Sequence, residues 1–177
     1  PYEGFVTPSK QTVKILADGS AKVDYYYVRK ELKVTFVNGD TKKEVTYLYG
    51  KENQAFTNNG FTKTGYTLTG YSNTSGGSKN YEVTSTVTGE FIDKNYPSKT
   101  VYVVFTANTY KIAFNNNGGT GSMDTITCTY DKDCTLTKNA FTKTGYTFAG
   151  WSKTSTGAIE YTNGSTVKNL ATSGSIT

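Results

Sequence analysis

The chain has no histidine, which removes the commonest general base and the commonest metal ligand together. No short nucleophile motif of the Gly-x-Ser-x-Gly kind occurs either. The two cysteines have too few neighbouring ligand types for a zinc site, which needs four ligands or three and a water. We therefore expect that the chain is not an enzyme and that it has no catalytic residue, cofactor or metal site.

Arginine is almost absent, because Lys supplies all but one of the 19 cationic side chains and Arg29 is the exception. The net charge is +5, and the lysines are spread singly along the chain. Proteins that read nucleic acid rely on Arg for bidentate contacts with guanine and phosphate, so we expect no specific nucleic-acid partner. The charge favours weak, salt-sensitive contacts with host-surface or cell-wall polymers.

Long hydrophobic runs are also missing, and none approaches the roughly 20 residues of a membrane helix, so we expect no membrane span. Ala and Leu are few, whereas Thr and Tyr dominate with Val and Phe in support. Side chains that are β-branched or aromatic fit a pleated, half-buried surface. The composition therefore predicts a mainly β protein.

A tandem repeat organises the sequence. Phe61–Thr67 recurs unchanged at Phe141–Thr147, and the similarity continues without a gap for another twenty positions. Each unit spans about eighty residues, which is long enough to close a small core and too long for one solenoid repeat. We predict two modules, repeat one at 30–108 and repeat two at 109–177. The head, 1–29, precedes them as a hairpin connector or the tail of a preceding domain.

Alternation and turn residues predict the elements. In the head, Asp18-Gly19 lies between Thr12–Leu16 and Lys22–Arg29, which is a strong hairpin signal. Lys51–Asn59 lacks alternation, and it is the one place where we predict a short helical turn. The strands predicted in the repeats are Glu31–Val37, Glu44–Tyr49, Tyr66–Tyr71, an irregular Tyr81–Ile92, Thr100–Thr106, Tyr110–Phe114, Thr125–Tyr130, Cys134–Thr137 and Tyr161–Leu170.

The repeated motif supplies the candidate site residues. We predict a positive φ at Gly65, which starts the strand, and one shared buried site for Tyr71 and Trp151. A recurring aromatic motif in a small module is more often its core than a sugar-stacking platform, but the platform stays open. The motif residues are Gly65, Tyr66, Gly70 and Tyr71 in repeat one, and Gly145, Tyr146, Phe148, Gly150 and Trp151 in repeat two.

Three smaller features have competing interpretations. Cys128 and Cys134 have the spacing of a hairpin disulfide in an oxidising compartment, with two free thiols as the alternative. Asp131-Lys132-Asp133 and Asn115-Asn116-Asn117 hold oxygen ligands without the spacing of a calcium loop, so we predict solvated turns.

Repeat two resembles a known family. Lys143–Trp151, Ser152–Gly157, Tyr161, Tyr110–Phe114 and the Asn-Asn-Gly-Gly turn are similar to the Listeria-Bacteroides repeat, also called the internalin B-repeat. Repeat one departs from it, with Tyr71 in place of Trp and Leu68 in place of Phe.

The resemblance implies tandem small β-grasp-like modules that follow the N-terminal β-hairpin segment. Each module would consist of two strands, a short helical or irregular crossing and two more strands. It implies a non-catalytic spacer or stalk that acts in adhesion. The protein would be secreted or attached to the cell wall of a bacterium, chiefly a Gram-positive one, and its modules would be monomeric units of a longer array. The alternatives are a carbohydrate- or host-protein-binding module and an accessory domain of a secreted glycan-active enzyme. Lys-Asn isopeptide staples, found in some such modules, have no identifiable partners here.

The last expectation concerns the C-terminal strand of repeat two. Repeat one uses an apolar strand at Thr100–Thr106, whereas the matching part of repeat two is only Ser175–Thr177. We therefore expect repeat two to be frayed there, or to borrow a strand such as Val23–Val28 of another molecule.

Overall fold

The computed structural model describes residues 2–177, so Pro1, the first residue of the predicted head, lies outside the described residues. Strands make up 35% of the chain and helix 4%, which confirms the mainly β fold class. The elements are β1 Phe5–Val6, β2 Val28–Arg29, β3 Glu31–Asn38, β4 Thr41–Leu48, β5 Tyr66–Ser72, β6 Tyr81–Glu82, α1 Gly89–Asn95, β7 Ser98–Ala107, β8 Thr109–Ile112, β9 Ile126–Thr129, β10 Cys134–Thr135, β11 Thr166–Val167 and β12 Gly174–Ile176.

The chain divides into two compact units. Unit 1 consists of the residues up to Phe61 together with Thr69–Val104, and unit 2 consists of Thr62–Leu68 and Phe105–Thr177. Within residues 2–177, no helix has the length and apolar character that a bilayer crossing requires.

Repeat one is built on a five-stranded sheet in the order β4-β3-β7-β5-β6. β3 pairs antiparallel with β4 along its whole length and parallel with β7 on its other side. A parallel pair needs a crossover connection, and α1 lies in that crossover, directly before β7. The helix therefore follows four strands of repeat one, β3 to β6, and precedes the last.

Alternation in β3 explains why this strand is central. Leu32, Val34 and Phe36 are fully buried, while the residues between them are more exposed. Period two places all three on one face of the sheet, against the aromatic core. The predicted strand is therefore confirmed with a boundary one residue longer.

Phe56 is the hub of that core, which corrects one expectation. The segment Lys51–Asn59 contains no helix; it makes an isolated bridge through Ala55 and buries Phe56. The rings around Phe56, with centroids within 6.0 Å, belong to Phe36, Tyr47, Tyr71, Tyr81 and Phe91. The hydrophobic contact of one aromatic residue overrides the weak helical preference of its neighbours.

The helix lies instead at α1, which begins inside the stretch Tyr81–Ile92, predicted as an irregular strand, and continues to Asn95. Thr88 caps it, because its hydroxyl oxygen accepts a hydrogen bond from the Phe91 backbone N–H at 3.2 Å. Ile92 is fully buried, and the helix ends at Asn95, before the C-cap Tyr96, whose conformation is restricted by the following proline. The cap Thr88 followed by Gly-Glu-Phe-Ile was the available signal in the sequence.

The head forms less regular structure than predicted. The turn is present, since the Gly19 N–H donates to the Leu16 carbonyl oxygen, but no strand is assigned over Thr12–Leu16 or Lys22–Tyr27. Only β1 and β2 pair, antiparallel, at the base of the segment. An isolated hairpin is marginal without a face to bury, and the side chains here are exposed.

Unit 2 contains two small sheets. β8 pairs antiparallel with β9 and parallel with β12, and β10 pairs antiparallel with β11. Strands are shorter than predicted: the stretch Tyr161–Leu170 retains only β11, and Cys134–Thr137 only β10. The buried core of the unit is Tyr110, Ile112, Cys128, Leu136 and Val167.

The disulfide between Cys128 and Cys134 is confirmed, with 5.7 Å between the Cα atoms. The two residues do not lie on paired strands, as the hairpin interpretation supposed. Cys128 is in β9 and Cys134 is in β10, and these strands belong to different sheets. The bridge therefore joins the two sheets of unit 2 across one turn.

Reduction of this bridge should lower the free energy of unfolding of unit 2 by about 2 kcal/mol, because a short loop loses a modest chain-entropy constraint. Urea unfolding followed by the emission of Trp151, the single tryptophan, reports on unit 2. Unit 1 holds no cysteine and serves as the internal control. Equal midpoints for oxidised and reduced protein would contradict this prediction.

Unit 1 should lose stability in alkali because burial raises the pKa of Tyr47 to about 12. Above pH 10 the unfolded chain releases this proton while the folded chain keeps it, so unfolding becomes progressively easier. The loss should reach roughly 2–3 kcal/mol by about pH 12. Urea midpoints measured by circular dichroism should fall less steeply with pH for Tyr47→Phe; identical slopes would show that Tyr47 is not responsible.

Candidate functional site

The repeated motif has different structures in its two copies. Tyr66–Ser72 of repeat one is strand β5, and Tyr71 within it is fully buried. The identical start of the motif in repeat two, Phe141–Thr147, leads into a segment with no strand, and Tyr146 is 73% exposed. The motif of repeat two therefore borders solvent where that of repeat one lies in a sheet.

A close approach of the backbone explains the glycine before the aromatic residue. A Cβ atom on Gly70 would lie 2.1 Å from the Tyr81 carbonyl oxygen. On Gly150, which has φ +155°, it would lie 2.8 Å from the Tyr161 carbonyl oxygen. Tyr81 and Tyr161 stand at matching positions of the two repeats, so both glycines allow the same chain crossing.

Trp151 occupies the place of Tyr71. Tyr71 pairs with Tyr81 in β5–β6 and has its ring 4.7 Å from that of Phe36. Trp151 pairs with Tyr161 in an isolated bridge and has its ring 4.8 Å from that of Phe114.

The surroundings of the two rings differ. The Tyr71 hydroxyl donates to the Thr57 carbonyl oxygen and accepts from Asn59, whereas the buried Trp151 indole N–H has no partner among residues 2–177. Trp151 is only partly buried, packed against the core of unit 2. It combines a core contact on one side with a solvent-facing groove on the other.

This groove is the candidate site. It has a volume of about 1010 Å³, at the upper end of the range for small-molecule pockets. Its apolar wall consists of Trp151 and three phenylalanine rings whose centroids lie within 6.3 Å of the indole centroid, those of Phe114, Phe141 and Phe148. The groove is also lined by Ile112, Asn117, Lys143 and Ile176.

The remaining motif residues lie outside the groove wall or at its rim. Gly65 has φ +74°, the left-handed conformation predicted for it, and Gly145 has φ +78°. Tyr66 is in β5, where its ring lies 5.9 Å from that of Tyr130 within unit 2. Tyr146 lines the groove, and the Lys143 ammonium lies 4.9 Å from the centroid of its ring.

The acidic turn 131–133 uses its oxygens for protein contacts. Asp131 accepts hydrogen bonds from the Asn169 side-chain amide at 2.7 Å and from the Tyr66 hydroxyl at 2.8 Å. These bonds hold the pKa of the Asp131 carboxyl below its usual value, the one from Asn169 having the larger effect. No group of three or more metal-ligating side chains occurs in the part of the chain that is described.

The asparagines 115–117 also serve local structure. The Asn117 N–H donates to the Asn115 side chain, and the Asn117 amide donates to the Ser155 carbonyl oxygen at 2.9 Å. At the same end of the groove, backbone and side-chain hydrogen bonds from Lys153 lower the pKa of Glu160. These polar groups at the rim of the groove therefore form hydrogen bonds with one another.

Gly150→Ala should destabilise unit 2 by about 1–3 kcal/mol more than Gly145→Ala, because the added methyl group would meet the Tyr161 carbonyl oxygen and Ile159. Gly145 is the matched control: its φ is also positive, but an added Cβ there meets nothing within 4 Å. Thermal unfolding followed by Trp151 emission measures both. Equal effects would mean that backbone strain alone, and not close approach, requires the glycine.

Comparison with known proteins identifies one part of the chain. Residues 110–176 match the family model of the Listeria-Bacteroides repeat domain. The comparisons with curated proteins and with solved structures gave no match. The matched segment contains β8 except for its first residue, β9 to β12, the disulfide and the whole groove wall. Repeat two of this chain is therefore similar to the Listeria-Bacteroides repeat domain.

Proposed function

We propose that this chain is a non-catalytic segment of a repeat array on a bacterial surface, where it acts as a spacer and in adhesion. The Listeria-Bacteroides repeat is a domain typical of bacterial surface proteins. The observation that carries the proposal is the tandem repeat itself, with a separate buried core in each repeat. Modules that each bury their own core can be added in series, which is what a spacer requires.

Two further features support this role. The disulfide suits an oxidising compartment, where such bonds form and persist. The net charge is +5, and lysine supplies almost all of the positive side chains, which favours weak attraction to anionic wall or host polymers. The proposal places the chain in a secreted or wall-attached protein, chiefly of Gram-positive bacteria.

The spacer role predicts that length controls distance. One, two or four copies of the 177-residue chain would be displayed on a bacterium between an anchor and a terminal epitope, and the height of the labelled epitope would be measured. We expect the height to increase with each copy. A height that does not change with copy number would contradict the spacer role.

The adhesion role predicts a different result. Binding of the purified chain to isolated cell walls should be weak and should fall as salt rises from about 0.05 to about 0.5 M, because screening shortens the range of the lysine charges. A neutral polymer of similar size is the control surface. Binding that is insensitive to salt would contradict an electrostatic mode of adhesion and leave the spacer role unaffected.

The second candidate is a ligand-binding module, and the partly exposed aromatic wall of the groove in unit 2 favours it. Tyr146 and Phe148, both exposed, stand beside Trp151 in the manner of a carbohydrate platform. Such a module could also be an accessory domain of a secreted glycan-active enzyme. Quenching or shift of Trp151 emission by soluble glycans, abolished in Tyr146→Ala, would support this candidate over the spacer.

A further inference from the structure

Two glycines of the chain pack against the ring of a tyrosine, and we call each arrangement a tyrosine joint. A Cβ atom on Gly4, which has φ +77°, would lie 2.0 Å from Cδ1 of Tyr49. On Gly65, which has φ +74°, it would lie 2.3 Å from Cδ1 of Tyr130. Only glycine allows this close approach together with a left-handed backbone. The first joint lies within unit 1 and the second within unit 2.

The two tyrosines stand at matching positions of the repeats. In repeat one, the pairing of β3 with β4 ends at Leu48, and Tyr49 follows. In repeat two, the pairing of β8 with β9 ends at Thr129, and Tyr130 follows. Each tyrosine therefore comes directly after the second strand of its repeat.

The joint in unit 1 binds the head to repeat one. Gly4 is followed by Phe5, where β1 begins, and β1 pairs with β2, which ends directly before Lys30. The Lys30 N–H donates to the Gly4 carbonyl oxygen at 2.8 Å, and the Tyr49 N–H donates to the Lys30 carbonyl oxygen at 3.0 Å. The Tyr49 hydroxyl donates to the Glu3 carboxylate at 2.8 Å.

The joint in unit 2 has the same plan. Gly65 is followed by Tyr66, where β5 begins, and β5 lies beside β7, which ends directly before Asn108. The Asn108 N–H donates to the Gly65 carbonyl oxygen at 2.9 Å, and the Tyr130 N–H donates to the Asn108 carbonyl oxygen at 2.8 Å. A tyrosine hydroxyl again donates to a carboxylate at 2.8 Å, here from Tyr66 to Asp131.

The segments that the two tyrosines receive have little sequence in common. They share a left-handed glycine followed by an aromatic residue that starts a strand, Gly4-Phe5 in the head and Gly65-Tyr66 in repeat one. In unit 1 the incoming segment supplies the carboxylate and the repeat supplies the hydroxyl, whereas in unit 2 these roles are exchanged. The recurring feature is therefore the arrangement and not one pair of side chains.

We propose that the tyrosine after the second strand of each repeat is a recognition surface for the chain that precedes the repeat. It takes a left-handed glycine and an aromatic residue at the start of a strand, and the glycine carbonyl oxygen binds the amide just before the first strand of the repeat. The connection then does not depend on a flexible linker. The proposal rests on the two joints and not on the spacer role, so either can fail without the other.

Two amides report whether the joints are formed, because Lys30 and Asn108 donate to the glycine carbonyl oxygens. The test follows their hydrogen exchange by NMR in the whole 177-residue chain. Gly65→Ala should speed exchange of the Asn108 amide at least about tenfold, because the added methyl group overlaps a tyrosine ring, and should leave the Lys30 amide unchanged. Gly4→Ala should have the reverse effect.

Both variants have a matched control with a positive φ and without the overlap. For Gly65→Ala it is Gly145→Ala, because Lys-Thr-Gly-Tyr-Thr surrounds both glycines and Gly145 has φ +78°. For Gly4→Ala it is Gly39→Ala, with φ +57°. An added Cβ at either control position meets nothing within 4 Å among the described residues. Each control should speed exchange of the reporter amides markedly less than the variant that it controls.

Three further variants test the ring and the hydroxyls. Tyr130→Ala removes the ring that the added methyl group would meet, so in that background Gly65→Ala should have no more effect than its control. Tyr49→Phe and Tyr66→Phe keep the rings and remove the hydroxyls, and each should speed exchange of the reporter amide of its own joint roughly threefold. The phenylalanine variants decide the question if an alanine variant does not fold.

Three results would overturn the proposal. The first is an equal effect of each alanine variant and its control. The second is an effect of Gly65→Ala that persists without the Tyr130 ring, which would mean that the ring does not receive the glycine. The third is a phenylalanine variant that affects both reporter amides equally, or neither, which would indicate a general change in stability in place of a joint.

Discussion

Parallel pairing between the first and last strands is the interaction on which each repeat depends. In repeat one it sets β7 in the middle of five strands, so β7 provides hydrogen bonds for a neighbour on each side. The aromatic core then has a continuous sheet to pack against, and Phe36, Phe56 and Tyr71 are almost completely removed from water. In repeat two the same parallel pairing joins β12 to β8, in a sheet of three strands.

The two copies of the motif differ in the neighbours beside them. A strand segment with one polar edge unpaired gains little from adopting extended geometry, because a strand is stabilised by its neighbours. Thr67–Gly70 has such a neighbour in its sheet and is a strand; Thr147–Gly150 does not and is irregular. Trp151 keeps its contact with Phe114 and thereby becomes one wall of a groove.

Unit 2 compensates for its small sheets in other ways. The disulfide fixes β9 to β10, and Asp131 within the same turn is bonded to Asn169 and Tyr66. Cross-links of this kind are the usual means by which small domains with limited cores stay folded. The acidic turn 131–133, whose oxygens could have been cation ligands, thus stabilises the unit through hydrogen bonds. The candidate site of the unit is the aromatic groove.

The sequence by itself determined the mainly β class, the tandem repeat and the resemblance of repeat two to the Listeria-Bacteroides repeat, and it favoured a disulfide between the two cysteines. These follow from local information: alternation, composition and the spacing of identical residues. It misplaced the helix, because Lys51–Asn59 lacks alternation but is held by the burial of Phe56, and it overestimated the head hairpin, which has no face to bury.

Only the tertiary structure decided whether one seven-residue motif is a buried strand or the border of a groove. The letters of Phe61–Thr67 and Phe141–Thr147 are identical, so no local propensity can separate them. The difference lies in the neighbours of each copy in space, because β5 lies between β7 and β6 in a sheet, whereas Thr147–Gly150 is not in a sheet. Sheet hydrogen bonds form between segments distant in sequence, and for that reason the groove could be located only once the strands were placed.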